Sequence, residues 1–282
     1  MVIYFKKNEV IRKVNDAILL NKTIGLVPTM GSLHQGHISL IKKAKKDNDI
    51  VWVSIFVNPT QFNSSDDLIK YPKNLKKDAE LIEKISDKIE IFSPSEIEIY
   101  DGTPKLKVYD FEKLDQELEG KFRKNHFNGV ATIVSKLLNL FNPSNVYFGE
   151  KDYQQTQIIK KLIFLEKIRV RMVICPTIRE KNGLALSSRN NLLSNSERAD
   201  SSIIYKSLKI LKNNFKTTNL SQIKKDIIIK INKKKNFKVE YLEIVNASTL
   251  QIDSKINPKE SYRSFICVKA NEVRLIDNIL LN

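Results

Sequence analysis

The chain has 282 residues, 41% of them hydrophobic, and 48 basic against 32 acidic residues give a net charge of +16. That length and apolar content suit one large or two moderate packed domains, and no apolar run approaches the ~18 residues of a membrane span. The N-terminus MVIYFKKNEVIRK becomes charged too early for a secretory signal, so the chain is expected in the cytoplasm with no membrane partner. The positive charge raises nucleic-acid binding. Its distribution argues against such a partner, because the lysines lie scattered in pairs and the longest run, 233–235, carries no interleaved aromatics.

Residues 23–46, TIGLVPTMGSLHQGHISLIKKAKK, read as strand, loop and helix. Ile24, Leu26 and Val27 form a β-type run, Pro28 and Gly31 punctuate it, and Ile38, Leu40, Ile41 and Ala44 recur at helical spacing. A helix beginning near His37 turns its unpaired backbone N–H groups and positive dipole end into the loop, which suits a phosphate. His34 and His37 are two of only 3 histidines in the chain. Beside an anion, imidazoles with an ordinary pKa of about 6.5 are kept cationic and neutralise charge on a transferred phosphoryl group. The other reading is that one histidine caps the helix and the other is packed.

Residues 50–57, IVWVSIFV, form a strand of the kind buried on both faces of a parallel sheet. With the preceding strand and helix they make a right-handed βαβ unit whose ligand crevice lies beyond the strands' carboxyl ends. Gln61 sits just past such an end, where an amide suits a hydroxylated ligand bearing a carboxylate. Residues 63–88 read as polar loop and then a helix burying Leu75, Ala79, Leu81 and Ile82, with no chemistry evident, and 89–92 as a short strand. FRKNHFNG, 122–129, sets Arg123 and His126 as a cationic pair ahead of an apolar helix through Phe141, compatible equally with surface charge and with an anionic ligand.

A strand over 145–148 leads into GEKDYQQ, 149–155, and a helix to about Leu165. Gly149 permits close backbone approach, Lys151 offers a cation, and Asp152 either accepts from ribose hydroxyls or caps the helix. After a strand over 169–174, the loop REKNGLALSSRNNLLS groups Ser187, Ser188 and Arg189, a set that suits polyphosphate, although taken alone the serines better suit capping of a helix starting near Ser194. Helices over 194–212 and 220–232 then precede strands over 237–245, 264–269 and 273–280, so the βα alternation stops. The expectation is an α/β fold with a Rossmann-like parallel-sheet N-terminal domain, 1–178, and a smaller α+β C-terminal lid domain, 179–282. Cys175 and Cys267 have no metal-type spacing and are expected as reduced core residues.

Four stretches in order, PTMGSLHQGH, VSIFVNPTQF, FGEKDYQQ and LALSSRN, closely resemble the pantoate–beta-alanine ligase family. The resemblance covers most of the chain. H-x-G-H alone is shared with the wider nucleotidylyltransferase superfamily, whereas the four together are highly specific. The resemblance implies a homodimer that uses ATP and Mg2+ to condense pantoate with beta-alanine through pantoyl adenylate, releasing pyrophosphate and AMP. It places Met30, Gly31, Ser32, Leu33, His34, Gln35, Gly36 and His37 along ATP, with both histidines on the phosphates and His37 as the family's proton donor. Gln61 and Gln155 would hold pantoate.

The same resemblance puts Gly149, Glu150, Lys151 and Asp152 on ribose and phosphate, Ile178 near adenine through its backbone, and Leu186, Ser187, Ser188 and Arg189 on the β- and γ-phosphates. His34, His37, Lys151 and Arg189 would be catalytic; it assigns no metal ligands. Adenylation of an ionised carboxylate requires no proton, so stabilising charge is the more economical task for His37. Where the family has proline and glycine between the arginine and the histidine, this chain has Lys124 and Asn125. Asparagine tolerates a left-handed backbone, which leaves Arg123 and His126 as candidates for substrate binding. The alternative is a nucleotidylyltransferase acting on a different acid or on a phosphate ester. A substrate phosphate would call for cations at positions 61 and 155, and neutral glutamines favour pantoate.

Overall fold

The near-continuous apolar runs of the first half become strands covered on both faces, and the positions between them become helices with one apolar side. The structure, a computed structural model, describes residues 2–216 and 219–282. In chain order the elements are β1 (Ile3–Tyr4), α1 (Lys7–Leu19), β2 (Ile24–Thr29), α2 (Gln35–Asp47), β3 (Ile50–Ile55), α3 (Ser65–Lys70), α4 (Leu75–Glu83), β4 (Glu90–Phe92) and α5 (Glu96–Tyr100). They continue with α6 (Glu119–Phe122), α7 (His126–Phe141), β5 (Asn145–Gly149), α8 (Tyr153–Leu165), β6 (Arg171–Cys175), α9 (Asn195–Asp200), α10 (Ser202–Asn213), α11 (Leu220–Asn232), β7 (Phe237–Asn246), β8 (Tyr262–Ala270) and β9 (Val273–Leu280). One unit comprises residues up to Phe111, Phe122–Glu150 and Gln155–Pro176; the other comprises Glu112–Lys121, Lys151–Gln154 and Thr177–Asn282.

In the first unit, among the described residues, the sheet order is β1-β4-β3-β2-β5-β6, with every pairing parallel. The chain runs outward from β2 through β3 to β4, then returns to β2's other side with β5 and β6. The order therefore reverses between β2 and β5, and ligands of open α/β sheets bind beyond the carboxyl ends of strands at such a point. Alternation along β3 sends Val51, Val53 and Ile55 into a core with Ile41, Ile82 and Ile91. It sends Trp52 to the opposite face, against Tyr4 and Phe141, both with ring centroids at 5.1 Å.

Polar groups anchor the C-terminal end of α2. Asn48 donates through Nδ2 to the Ala44 carbonyl and to Tyr147 Oη, accepts from Asn145 through Oδ1, and Tyr147 Oη donates to Asp47 Oδ2 at 3.0 Å. Burial, followed by the interactions with Asp47, pushes the Tyr147 phenol up to about 12.

The second unit packs α10 and α11 on the antiparallel sheet β7-β8-β9, around Leu208, Leu211, Ile231, Leu242, Ile266 and Val268. Arg274, Glu119 and Glu240 form a charge network there. Arg274 donates to both Glu119 oxygens at 2.8 and 2.7 Å and from Nε to Glu240 at 2.9 Å, while Tyr241 Oη donates to Glu119 at 2.9 Å. Burial disfavours these charges, but their mutual hydrogen bonds outweigh it, raising the guanidinium pKa and lowering that of Glu240. Both cysteines are buried free thiols. Among the described residues no helix is long and apolar enough to cross a membrane.

Candidate active site

The loop after β2 starts with a polar turn. Thr29 Oγ1 donates to the Ser54 carbonyl at 2.8 Å and accepts the Gly31 N–H at 3.1 Å. The next two residues are left-handed, Gly31 with φ 78° and Ser32 with φ 51°. Glycine takes that conformation freely and serine does so at a cost. The Asp78 carboxylate, reaching in from α4, accepts the Ser32 N–H at 2.8 Å and the Leu33 N–H at 2.7 Å. Leu33 itself points into the core, whereas Gln35 is exposed.

The helix then begins at Gln35, two residues before the position expected from periodicity, because His34 is its N-cap. His34 Nδ1 accepts the Gly36 N–H at 3.1 Å, its side chain also takes the His37 N–H, and His37 Nδ1 accepts the His34 N–H at 3.3 Å. The two rings are 4.1 Å apart. This arrangement corrects two expectations. Much of the loop and first turn has its N–H groups satisfied within the protein, by Thr29, Asp78 and the two imidazoles, and so these do not await a phosphate. A nitrogen that accepts an N–H carries no proton, so each imidazole here is neutral, with its proton on Nε2, rather than cationic.

Beyond β3, a single 3-10 turn, Pro59–Gln61, presents Gln61. Gln61 Oε1 accepts from Asn58 Nδ2 at 3.1 Å, its Nε2 donates to Met30 Sδ at 3.0 Å, and Asn58 Nδ2 also donates to the Gly129 carbonyl at 3.1 Å. Gly129 is needed for that approach, since a Cβ there would lie 2.3 Å from the Thr60 carbonyl oxygen. Asn125 caps α7 in the left-handed conformation, φ 61°, so the turn forms without the family's proline and glycine. Arg123 Nη1 donates to His126 Nε2 at 3.0 Å, and His126 Nδ1 lies 2.7 Å from the Gln61 carbonyl. Arginine has only donors, so Nε2 accepts and Nδ1–H donates. The expected cationic pair is thus one cation and one neutral, buried ring, and the ring holds the Gln61 backbone.

Gly149 ends β5 and Glu150 follows it, both in the first unit, and a Cβ at Gly149 would meet nothing within 4 Å. Of the two neighbouring glutamines on α8, Gln154 is locked: its Oε1 accepts the Glu119 N–H at 3.0 Å and its Nε2 donates to the Leu114 and Glu117 carbonyls, both at 2.8 Å. Gln155, a turn-fraction further round, is half-buried.

In the second unit, Lys151 Nζ donates to Asp152 Oδ1 at 2.9 Å, and the Lys151 carbonyl accepts from Asn278 Nδ2 at 2.8 Å. The Ile178 carbonyl accepts the Leu186 N–H at 2.9 Å, and Arg179 forms a two-pronged pair with Asp277 at 2.6 and 2.9 Å, which brace this loop at its base. Ser187 caps the short helix Ser188–Leu192 by accepting the Arg189 N–H at 3.3 Å. Ser188 is buried, and the helix expected near Ser194 is capped by Ser194 itself rather than by Ser187 or Ser188. The sequence reading missed Asp78, Asn58 and Gln154, whose side chains all face inward.

A parallel sheet with an H-x-G-H loop opening a helix at its switch point defines an α/β nucleotidylyltransferase-type domain. The profile of the family described as Pantoate-beta-alanine ligase matches residues 3–280. The chain is 43% identical over 281 residues to the pantothenate synthetase of Flavobacterium psychrophilum, with 100% of both chains covered. It is similar to the crystal structure of pantothenate synthetase from Thermus thermophilus, with TM-score 0.88, 33% identity and coverage of 100% of this chain and 99% of that one. A Francisella tularensis pantoate-beta-alanine ligase, complexed with beta-gamma ATP and beta-alanine, gives TM-score 0.83 at 39% identity, covering 100% and 98%. The chain belongs to the pantoate–beta-alanine ligase family. It is an ATP-dependent ligase that joins pantoate to beta-alanine through an adenylate, forming pantothenate.

Proposed function

We propose that the β2–α2 loop carries the adenylation half of this reaction, with His34 and His37 acting on the ATP phosphates as neutral Nε2–H donors. The observation behind this reading is that both Nδ1 atoms accept backbone N–H groups of the α2 start. The polarisation of that helix end passes through each imidazole to the proton on its far nitrogen. Pantoate's ionised carboxylate attacks the α-phosphorus, the bond to the bridging oxygen breaks, and charge builds on the departing pyrophosphate without any proton moving. Donors oriented in advance stabilise that charge, which is the role we assign to His37 in place of proton donation.

Gln61 and Gln155 hold pantoate; Arg123 and His126 act behind Gln61, by fixing its backbone. Met30, Gly31, Ser32, Leu33, Gln35, Gly36, Gly149, Glu150 and Ile178 shape the nucleotide pocket, while Lys151, Asp152 and Leu186, Ser187, Ser188 and Arg189 take the ribose and the β- and γ-phosphates. Beta-alanine's neutral amine then attacks the acyl carbonyl, the carbon–oxygen bond to AMP breaks, and the proton that the nitrogen sheds passes to the departing phosphate or to water. Mg2+ would be held chiefly by ATP and water, with no residue of this chain assigned to it, and would supply positive charge against the charge that builds on the phosphates. Among the described residues, the candidate ligands Glu119, Glu240 and Cys267 come together, but Arg274 already bonds both carboxylates, so this cluster does not fit a resident ion. The enzyme works in the cytoplasm as a homodimer, a state that would cover apolar surface such as Phe164, 73% exposed on α8.

Pantoate-dependent exchange of labelled pyrophosphate into ATP, without beta-alanine, tests the reading. Exchange is expected in the unmodified enzyme and about 10²–10³-fold less of it in His37→Ala. Near-normal exchange in that variant would remove His37 from the phosphates.

A further inference from the structure

We infer that Asp78, on α4, is the positioning residue of the nucleotide loop: its two carboxylate oxygens hold the Ser32 and Leu33 N–H groups and so set the direction in which His34 and His37 point. The inference rests on the adenylation role proposed for those histidines. Asp78 is 2% exposed and lies 46 residues from Ser32 in the chain, so the contact is a tertiary one made by a fully enclosed carboxylate. The oxygens divide the work, with Oδ2 on Ser32 and Oδ1 on Leu33.

Two further observations agree. Ser32 is left-handed, a conformation that a side-chain-bearing residue keeps only where its surroundings hold it. A Cβ at Gly31 would lie 2.9 Å from Asp78 Oδ2 and 3.1 Å from Ile55, so position 31 is kept bare on the side where the carboxylate sits. The carboxylate is not there for stability alone. Burial raises its pKa, and the two backbone hydrogen bonds offset that only in part, so the ionised form is disfavoured by its site. An acceptor for two adjacent N–H groups is what the loop requires, and among uncharged replacements of this shape none provides it: asparagine offers one oxygen, and its Nδ2–H2 would face the second N–H donor to donor.

Asp78→Asn in the full-length enzyme separates positioning from folding. Expected are a folded protein with its unfolding temperature lowered by no more than about 10 °C, pyrophosphate exchange about 10²-fold slower at saturating substrates, and a KM for pantoate within about twofold of normal. Amide hydrogen exchange should rise in residues 30–37 while the rest of the sheet keeps its protection. Gly31→Ala, which crowds Oδ2 from the opposite side, should show the same loss, and the double variant should be little worse than the poorer single one. Absence of exchange in the unmodified enzyme would instead count against the adenylation reading itself. With the unmodified enzyme active, Asp78 loses its positioning role if Asp78→Asn exchanges at near-normal rate, if residues 30–37 stay protected, or if the variant fails to fold. A fully active Gly31→Ala would overturn it as well.

Discussion

His34 serves the helix and, in our reading, the nucleotide, and one substitution can divide those duties. Its side chain takes the Gly36 N–H at 3.1 Å and the His37 N–H, which is the work of an N-cap. Losing such a cap costs about 1 kcal/mol, or about 2–4 °C in the unfolding midpoint of a protein near this size. Losing a donor aimed at transition-state charge costs about 2.7–4 kcal/mol of barrier, equivalent to about 10²–10³ in rate. His34→Ala should show both losses. In His34→Asn the amide oxygen caps α2 as well as any residue does, so the unfolding midpoint should return to normal. The ring and its Nε2–H are gone, however, so pyrophosphate exchange should stay as low as in the alanine variant. Calorimetry and the exchange assay on the same preparations make the comparison. Recovery of exchange in His34→Asn to within about tenfold of the unmodified enzyme would mean that the histidine is only a cap.

Gln155→Ala should raise KM for pantoate by about tenfold or more with little change for ATP, as expected for loss of a hydrogen bond to a charged group, and equal losses for both substrates would contradict the assignment. Tyr147 makes a prediction in alkali. Its phenol is pushed up to about 12 in the fold, against about 10 unfolded. The folded state therefore keeps its proton longer, and this contribution to stability is intact below about pH 10 and is lost as pH rises towards about 12. Denaturant unfolding at several pH values should show that loss, and Tyr147→Phe should flatten the curve across the same window; an unchanged curve would refute the assignment.

What could be read from the chain followed what is periodic. The run of Ile24, Leu26 and Val27, the run 50–57 and the helical spacing of Val130, Ile133, Val134, Leu137 and Leu138 are consequences of burial on regular faces, and those elements formed, the second strand stopping at Ile55. The motifs likewise identified the family, because four short stretches in order leave few alternatives. Asp78 was illegible. In KKDAE an aspartate among two lysines and a glutamate reads as part of a solvated helix face, and its inward turn depends on a loop 46 residues away. The neighbouring Gln154 and Gln155 are equivalent on paper, yet about 100° of helical rotation gives one to the protein's own backbone and leaves the other half-buried. Protonation was misread for the same kind of reason. Which nitrogen of His34, His37 or His126 holds the proton is decided by the hydrogen-bond partner of the other, and partners are tertiary facts.

The Glu119–Arg274 pair joins positions 155 residues apart. At ribosomal speeds of about 5–20 residues per second, Arg274 is made about 8–30 s after Glu119. The last two strands of the parallel sheet, β5 and β6, are synthesised during that wait and complete it. Gln154 is made only 35 residues after Glu119 and needs nothing later in the chain to grip the Leu114 and Glu117 carbonyls and the Glu119 N–H. The hydrogen bonds of Gln154 thus join only residues 114–154, and every group they need is made before the strand that brings Arg274 to the Glu119 carboxylate.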